Sequence, residues 1–194
     1  MYLNHTQVGE AKIFINLDHS SRSAKANMNK YTVDASIRKS RISHVMYLND
    51  LENIDFVKSI SGLVCADLNS GPKVKREDLE NVDLLFASDE DYTIEELDNV
   101  FDKFIVLHST YGSIYGIKGN YKEYKLKKSK IADNINVLGA GDMFASFFMD
   151  NILTKNIYNN FENNSISDLK DIVKNSHLST SNYLIKLNQR FKLT

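Results

Sequence analysis

The chain has 194 residues, 42% of them hydrophobic and 25% charged, with a net charge of −1. That balance suits one globular domain able to bury roughly 70% of its unfolded surface, and it offers no basic field for nucleic acid or an anionic membrane. One cysteine, Cys65, excludes an internal disulfide, and neither a signal-peptide pattern at MYLNHTQVGE nor a run of ~20 apolar residues is present, so no membrane partner and a reducing, cytoplasmic setting are expected.

In chain order, 12-KIFINL-17 with 19-HSSRSAKANMNKY-31 predicts a β-ribbon projecting from a sheet. Further strands are expected at 44-HVMYL-48, 63-LVCADL-68, 82-VDLLFAS-88 and 104-FIVLH-108. Several are unbroken apolar runs, the pattern of parallel strands covered on both faces, although a short buried helix looks similar. Between them, Leu51, Ile54 and Val57 predict a helix over 50–60. Thr93 and Glu96 form a reciprocal capping pair at the start of 93-TIEELDNVF-101.

This alternation predicts an α/β fold with a mostly parallel sheet and flanking helices. Residues 113–126 read as two strands joined across Gly119-Asn120. A polar surface loop is expected at 159-NNFENN-164. Final helices are expected over 142–155 and about 167–188, the second with Leu169, Ile172 and Val173 on one face and Ser165 or Ser167 as cap. No linker rich in Pro, Gly or Ser divides residues 1–194, which read as a single domain.

The most informative stretch is 135-INVLGAGDMFASFFMDNIL-153. Gly139 and Gly141 allow a tight turn and close approach of a ligand to the backbone. Phe144, Phe147, Phe148 and Ile152 then share one helical face, so a buried helix starts here. Its first amides lack intrahelical partners and its dipole is positive at this end, which together suit an anion. A carboxylate beside that turn, Asp142, can accept a proton from a nucleophile. An anion hole with a base is the minimum for moving a phosphoryl group onto a hydroxyl. On residue types alone, Asp142 serves equally well as a cap or dipole partner of the helix.

The segment resembles the D-T-T/x-G-A-G-D-x-F signature of the ribokinase/PfkB family of carbohydrate kinases, matched by Gly139, Ala140, Gly141, Asp142 and Phe144. The resemblance implies an anion hole at Gly139, Ala140 and Gly141, with Asp142 as the catalytic base. Asn136 stands where the family has the opening aspartate, which shapes the phosphate and monovalent-cation surroundings.

Upstream, VCADLNSGP resembles D-x-N-x-R through Asp67 and Asn69. The stretch 82-VDLLFASDEDY-92 resembles the strand leading to N-x-x-E, placing Ser88 and Asp91 at the positions that organise Mg²⁺ through water. The stretch 105-IVLHSTYGSIYG-116 resembles V-V-T-x-G-x-x-G, whose loop lies against nucleotide phosphates; Gly112 keeps the second glycine, Ser109 replaces the first, and Leu107 replaces the threonine. His177 falls roughly where the family closes over adenine.

The resemblance covers most of residues 10–185 and implies a ribokinase-like domain truncated at the N-terminus, with 10–30 as a remnant of the β-lid. It implies ATP and Mg²⁺ as cofactors and a small, sugar-like substrate, and it leaves a monovalent cation and a homodimer open. Two functions follow from it. One is ATP-dependent phosphorylation of a sugar or sugar-derivative hydroxyl. The other, favoured by the changed motif positions, is a non-catalytic relative that binds nucleotide or a partner.

Elsewhere, Asp89, Glu90 and Asp91 are more simply a solvated loop. His5, His19, His44 and His108 lack zinc-ligand spacing, and 125-KLKKSK-130, without an interleaved aromatic residue, is a solvated hairpin end.

Overall fold

A computed structural model describes residues 7–8, 11–14, 40–51, 54–126, 139–163 and 169–191. Within them, one sheet carries eight strands in sequence order. These are β1 (Gln7–Val8), β2 (Ala11–Phe14), β3 (Ile42–Val45), β4 (Leu63–Asp67), β5 (Leu84–Ser88), β6 (Phe104–Ser109), β7 (Gly112–Ile117) and β8 (Asn120–Lys125). Strands β2 to β6 pair in parallel. The flanking pairs β1/β2, β6/β7 and β7/β8 are antiparallel. The helices are α1 (Arg76–Leu79), α2 (Ile94–Val100), α3 (Ala140–Thr154) and α4 (Lys170–Phe191).

The unbroken apolar strands are covered on both faces. Successive residues of β4 divide between two cores: Leu63 and Cys65 join the core under α3 and α4, whereas Val64 and Ala66 join the core under α1 and α2. Phe86 at the centre of β5 meets Phe148 edge-on at 5.4 Å between ring centroids, the geometry aromatic pairs favour. The connections β3–β4, β4–β5 and β5–β6 all contribute to one core, through Leu51 and Val57, Leu79, and Leu97. The C-terminal pair α3 and α4 closes the other face.

Helix α2 begins as its capping pair predicts, with Glu96 N donating to Thr93 Oγ1 and Thr93 N donating to Glu96 Oε2. Among the described residues of 50–60 the expected helix is not formed; two 3-10 turns, Leu48–Asp50 and Asp55–Ser59, stand there. Asn49 and Asp50 give their side chains to the Asn69 loop, and Leu51 is extended. Such side-chain bonds offer the backbone an alternative to the helix ladder.

Ala11–Phe14 pairs with β3 as a member of the sheet rather than as a projecting ribbon. Residues 15–39, which hold most of the expected lid remnant, lie outside the described residues. The β7–β8 hairpin turns on Lys118 and Gly119, the latter with φ of 78°, and Asn120 already pairs with Ile117. The asparagine-rich loop is a 3-10 segment, Tyr158–Asn163, pinned by Phe161 against Phe104.

Candidate active site

Ligand sites of open α/β sheets form beyond the carboxyl ends of the parallel strands. Here those ends bring together Tyr47 after β3, Asp67 on β4, Ser88 on β5 and His108 on β6. The first turn of α3 comes up against two of them, Tyr47 and His108.

Gly139 is the N-cap of α3, at φ 77° and ψ 11°, and as a glycine it has no side chain with which to cap the helix. Among the described residues, the first bond of the helix ladder is Met143 N to Gly139 O at 3.0 Å. The amides of Ala140, Gly141 and Asp142 precede it, as helix geometry requires. The two glycines serve different ends. Gly139 holds a left-handed conformation in open space, while a Cβ on Gly141 would sit 2.9 Å from His108 Cε1. Gly141 therefore lets the imidazole lie directly on the turn.

The Asp142 carboxylate accepts from the Tyr47 hydroxyl at 3.3 Å through Oδ1 and 3.4 Å through Oδ2. Among the described residues, the carboxylate makes no bond to an amide of its own helix. Burial pushes its carboxyl above the ordinary value and Asp67 adds to that, while Tyr47, His44 and His108 pull it back. The Tyr47 phenol is pushed up to about 12 by burial and then by Asp142. Beneath them, His44 Nε2 lies 2.8 Å from Asp67 Oδ2 in a nearly sealed environment. Its angles fall short of a regular hydrogen bond, and neither atom has another partner among the described residues. Burial lowers His108, against the pull of Asp67, Asp89, Asp142 and Asp91.

Solved structures share this arrangement of elements. An uncharacterized sugar kinase from Pyrococcus horikoshii superposes with a TM-score of 0.55 at 15% identity, over 75% of this chain and 52% of that one. The adenosine kinase of Trypanosoma brucei brucei gives 0.53 at 13% identity, over 81% and 55%. A pyrophosphate-dependent kinase in the ribokinase family gives 0.51 at 18% identity, over 74% and 56%. The chain has the ribokinase-like fold. It spans about half the length of these ribokinase-like structures. No family model and no curated protein matches the sequence.

Gly139, Ala140, Gly141 and Asp142 stand together at the start of α3. Asn136 lies outside the described residues. Ser109 and Gly112 build the β6–β7 hairpin: Ser109 Oγ accepts from Tyr111 N, and a Cβ on Gly112 would fall 1.9 Å from Tyr124 O. That glycine is accounted for by strand contact alone. Ser88 Oγ accepts from Glu90 N within a tight turn, and Asp91 is exposed. Among the described residues, no group of three His, Cys, Asp or Glu side chains could hold a metal.

His177 departs from its expected role over adenine. It is 5% exposed, with Nε2 2.7 Å from Ser113 Oγ and its ring packed against Tyr124 and Phe144. It is a hydrogen-bonded core histidine. Burial, and then His108, push it down to about 4.

Sequence reasoning misses Tyr47, His44 and His108 as parts of the site. For His108 the available signal is its position in the strand aligned with V-V-T-x-G, one residue before Ser109. Tyr47 carries none, because its backbone is left-handed at φ 52° and only the fold shows where that aims the ring.

Proposed function

We propose that this chain carries the phosphoryl-transfer centre of a small-molecule kinase, acting on a hydroxyl of a sugar or sugar derivative. The observation that supports it most is Asp142: a half-buried carboxylate in the first turn of α3, raised above its ordinary value and bonded to Tyr47 rather than to its own helix. A raised carboxylate is a better proton acceptor at neutral pH. Asp142 takes the proton of the attacking hydroxyl. The hydroxyl oxygen then bonds to the transferred phosphorus as the bond to the leaving phosphate breaks. The amides of Ala140, Gly141 and Asp142, with the helix dipole behind them, bear the charge on the phosphoryl oxygens.

The residues present fit Mg-ATP as donor. The turn offers amides without side chains at Gly139 and Gly141, and Asp67, which acts on Asp142, with Asp89 and Asp91, which act on His108, would repel a bare polyphosphate. Mg²⁺ supplies the offsetting charge when bound, and it keeps most of its waters, so it needs few ligands from the chain. The Pyrococcus horikoshii neighbour has been solved in complex with ATP. The pyrophosphate-dependent neighbour has been solved with a pyrophosphate analog and myo-inositol.

A non-catalytic, nucleotide-binding role is the second reading. It draws on Ser109 and Gly112, whose places in the hairpin are explained without a ligand. Calorimetry with Mg-ATP, then phosphorus NMR over a panel of sugars, polyols and nucleosides, separates the two. The kinase reading expects binding and a new phosphate monoester. Binding without transfer to any acceptor supports the second, and no binding removes both.

A further inference from the structure

We propose that Tyr47 is a positioning residue for Asp142, its one hydroxyl proton shared between the two carboxylate oxygens so that the group stays oriented and ionised. The hydroxyl lies almost equally far from Oδ1 and Oδ2, at 3.3 and 3.4 Å. A single proton shared between both oxygens favours one rotation of the carboxylate about its terminal bond, which is otherwise soft.

The placement of the phenol is built into the chain. Tyr47 occupies a left-handed backbone conformation, at φ 52° and ψ 52°, which a bulky side chain adopts only when its surroundings dictate it. The dictating structure is the turn that follows. Asn49, 4% exposed, donates to Asn69 O at 2.9 Å and Pro72 O at 3.1 Å, and its Oδ1 accepts from Asn69 N at 3.1 Å. Asn69 Nδ2 donates to Asp50 Oδ2 at 2.6 Å. The loop after β4 thus clamps the turn after β3, and the clamp aims Tyr47 at α3. Asn69 acts at one remove, by fixing that turn.

Among the described residues, the groups acting on Asp142 are Tyr47, Asp67, His44 and His108. Burial and Asp67 favour its protonated form, whereas the Tyr47 bond favours the charged form. Loss of that one donor lets the carboxyl rise. The catalytic consequence for Tyr47 rests on the kinase reading; its effect on the ionisation of Asp142 does not.

The test is a carbon-detected NMR titration of the Asp142 carboxyl in the whole chain. Tyr47→Phe should raise its midpoint by about half a unit to one unit. Fluorination of Tyr47 beside the hydroxyl makes a stronger donor without changing shape appreciably, and should lower it. A folded Tyr47→Phe protein with an unmoved Asp142, or both changes moving it the same way, overturns the proposal. If Tyr47→Phe does not fold, the fluorinated protein decides alone, and an unmoved midpoint there is the contrary result. Where turnover is measurable, the acid limb of kcat/KM should follow the NMR midpoint. A wild type without turnover would count against the kinase reading, and the titration alone would then decide the role of Tyr47.

Discussion

At the scale of single residues, the raised carboxyl of Asp142 has a consequence for stability. The native state holds its proton more tightly than the unfolded chain does, so stability falls as pH rises from the ordinary carboxyl value of 3.8 through the raised native value. At neutral pH the charged side chain therefore costs the fold something that an uncharged one would not. Asp142→Asn should melt higher than wild type at pH 7, with the difference closing as pH falls below the ordinary value. Scanning calorimetry across that range checks it; a lower melting temperature at pH 7 would make Asp142 structural.

His177 has the opposite sign. Its native value of about 4 lies below the ordinary histidine value of 6.5, so the unfolded chain binds the proton first. The stability this neutral, Ser113-bonded histidine contributes is present above about 6.5 and is lost as pH falls towards 4. The full loss is about 3 kcal/mol. His177→Gln cannot titrate and should flatten the urea-midpoint profile between those limits. An unchanged slope would place the acid sensitivity elsewhere.

At the scale of elements, the first turn of α3 separates the two glycines by experiment. Gly139→Ala meets no neighbour but must keep φ near 77°, which costs roughly 1 kcal/mol of stability. It should leave anion affinity nearly unchanged. Gly141→Ala pushes a methyl group towards His108 and should weaken sulfate or Mg-ATP binding more than it lowers stability. Sulfate titration beside urea denaturation checks both, and equal sulfate affinity in all three proteins would rule out the turn as an anion site.

The legibility of elements follows how local their causes are. The capping of α2 by Thr93 and Glu96, the buried strands and the apolar face of α3 are all written in neighbouring residues. The segment after β3 carries a helical pattern yet forms no such helix, because what governs it lies about twenty residues away, in the side-chain bonds between Asn49, Asp50 and Asn69. Gly112 illustrates the same limit. The sequence shows a glycine in a phosphate-loop pattern, while the structure shows Tyr124 O of the next strand in the way of any Cβ.

At the scale of the whole molecule, a sheet covered on both faces places several strand ends and one helix start on a single edge. The ribokinase-like fold and the position of Asp142 are readable because the glycine turn and the buried runs are contiguous. The pair Tyr47–Asp142 is not, since it joins residues 95 apart and depends on a left-handed backbone that no local pattern signals. His44 and Asp67 likewise meet only because β3 and β4 are adjacent.

Asp142 is the proposed base of a phosphoryl transfer centred on this turn. Its most direct test is single-turnover transfer of labelled γ-phosphate from Mg-ATP to an acceptor found by screening, in wild type and Asp142→Asn at equal nucleotide saturation. Both proteins should bind Mg-ATP with similar affinity, and transfer should fall by about 10²–10⁴-fold in the variant. Equal transfer rates in the two proteins would contradict that role.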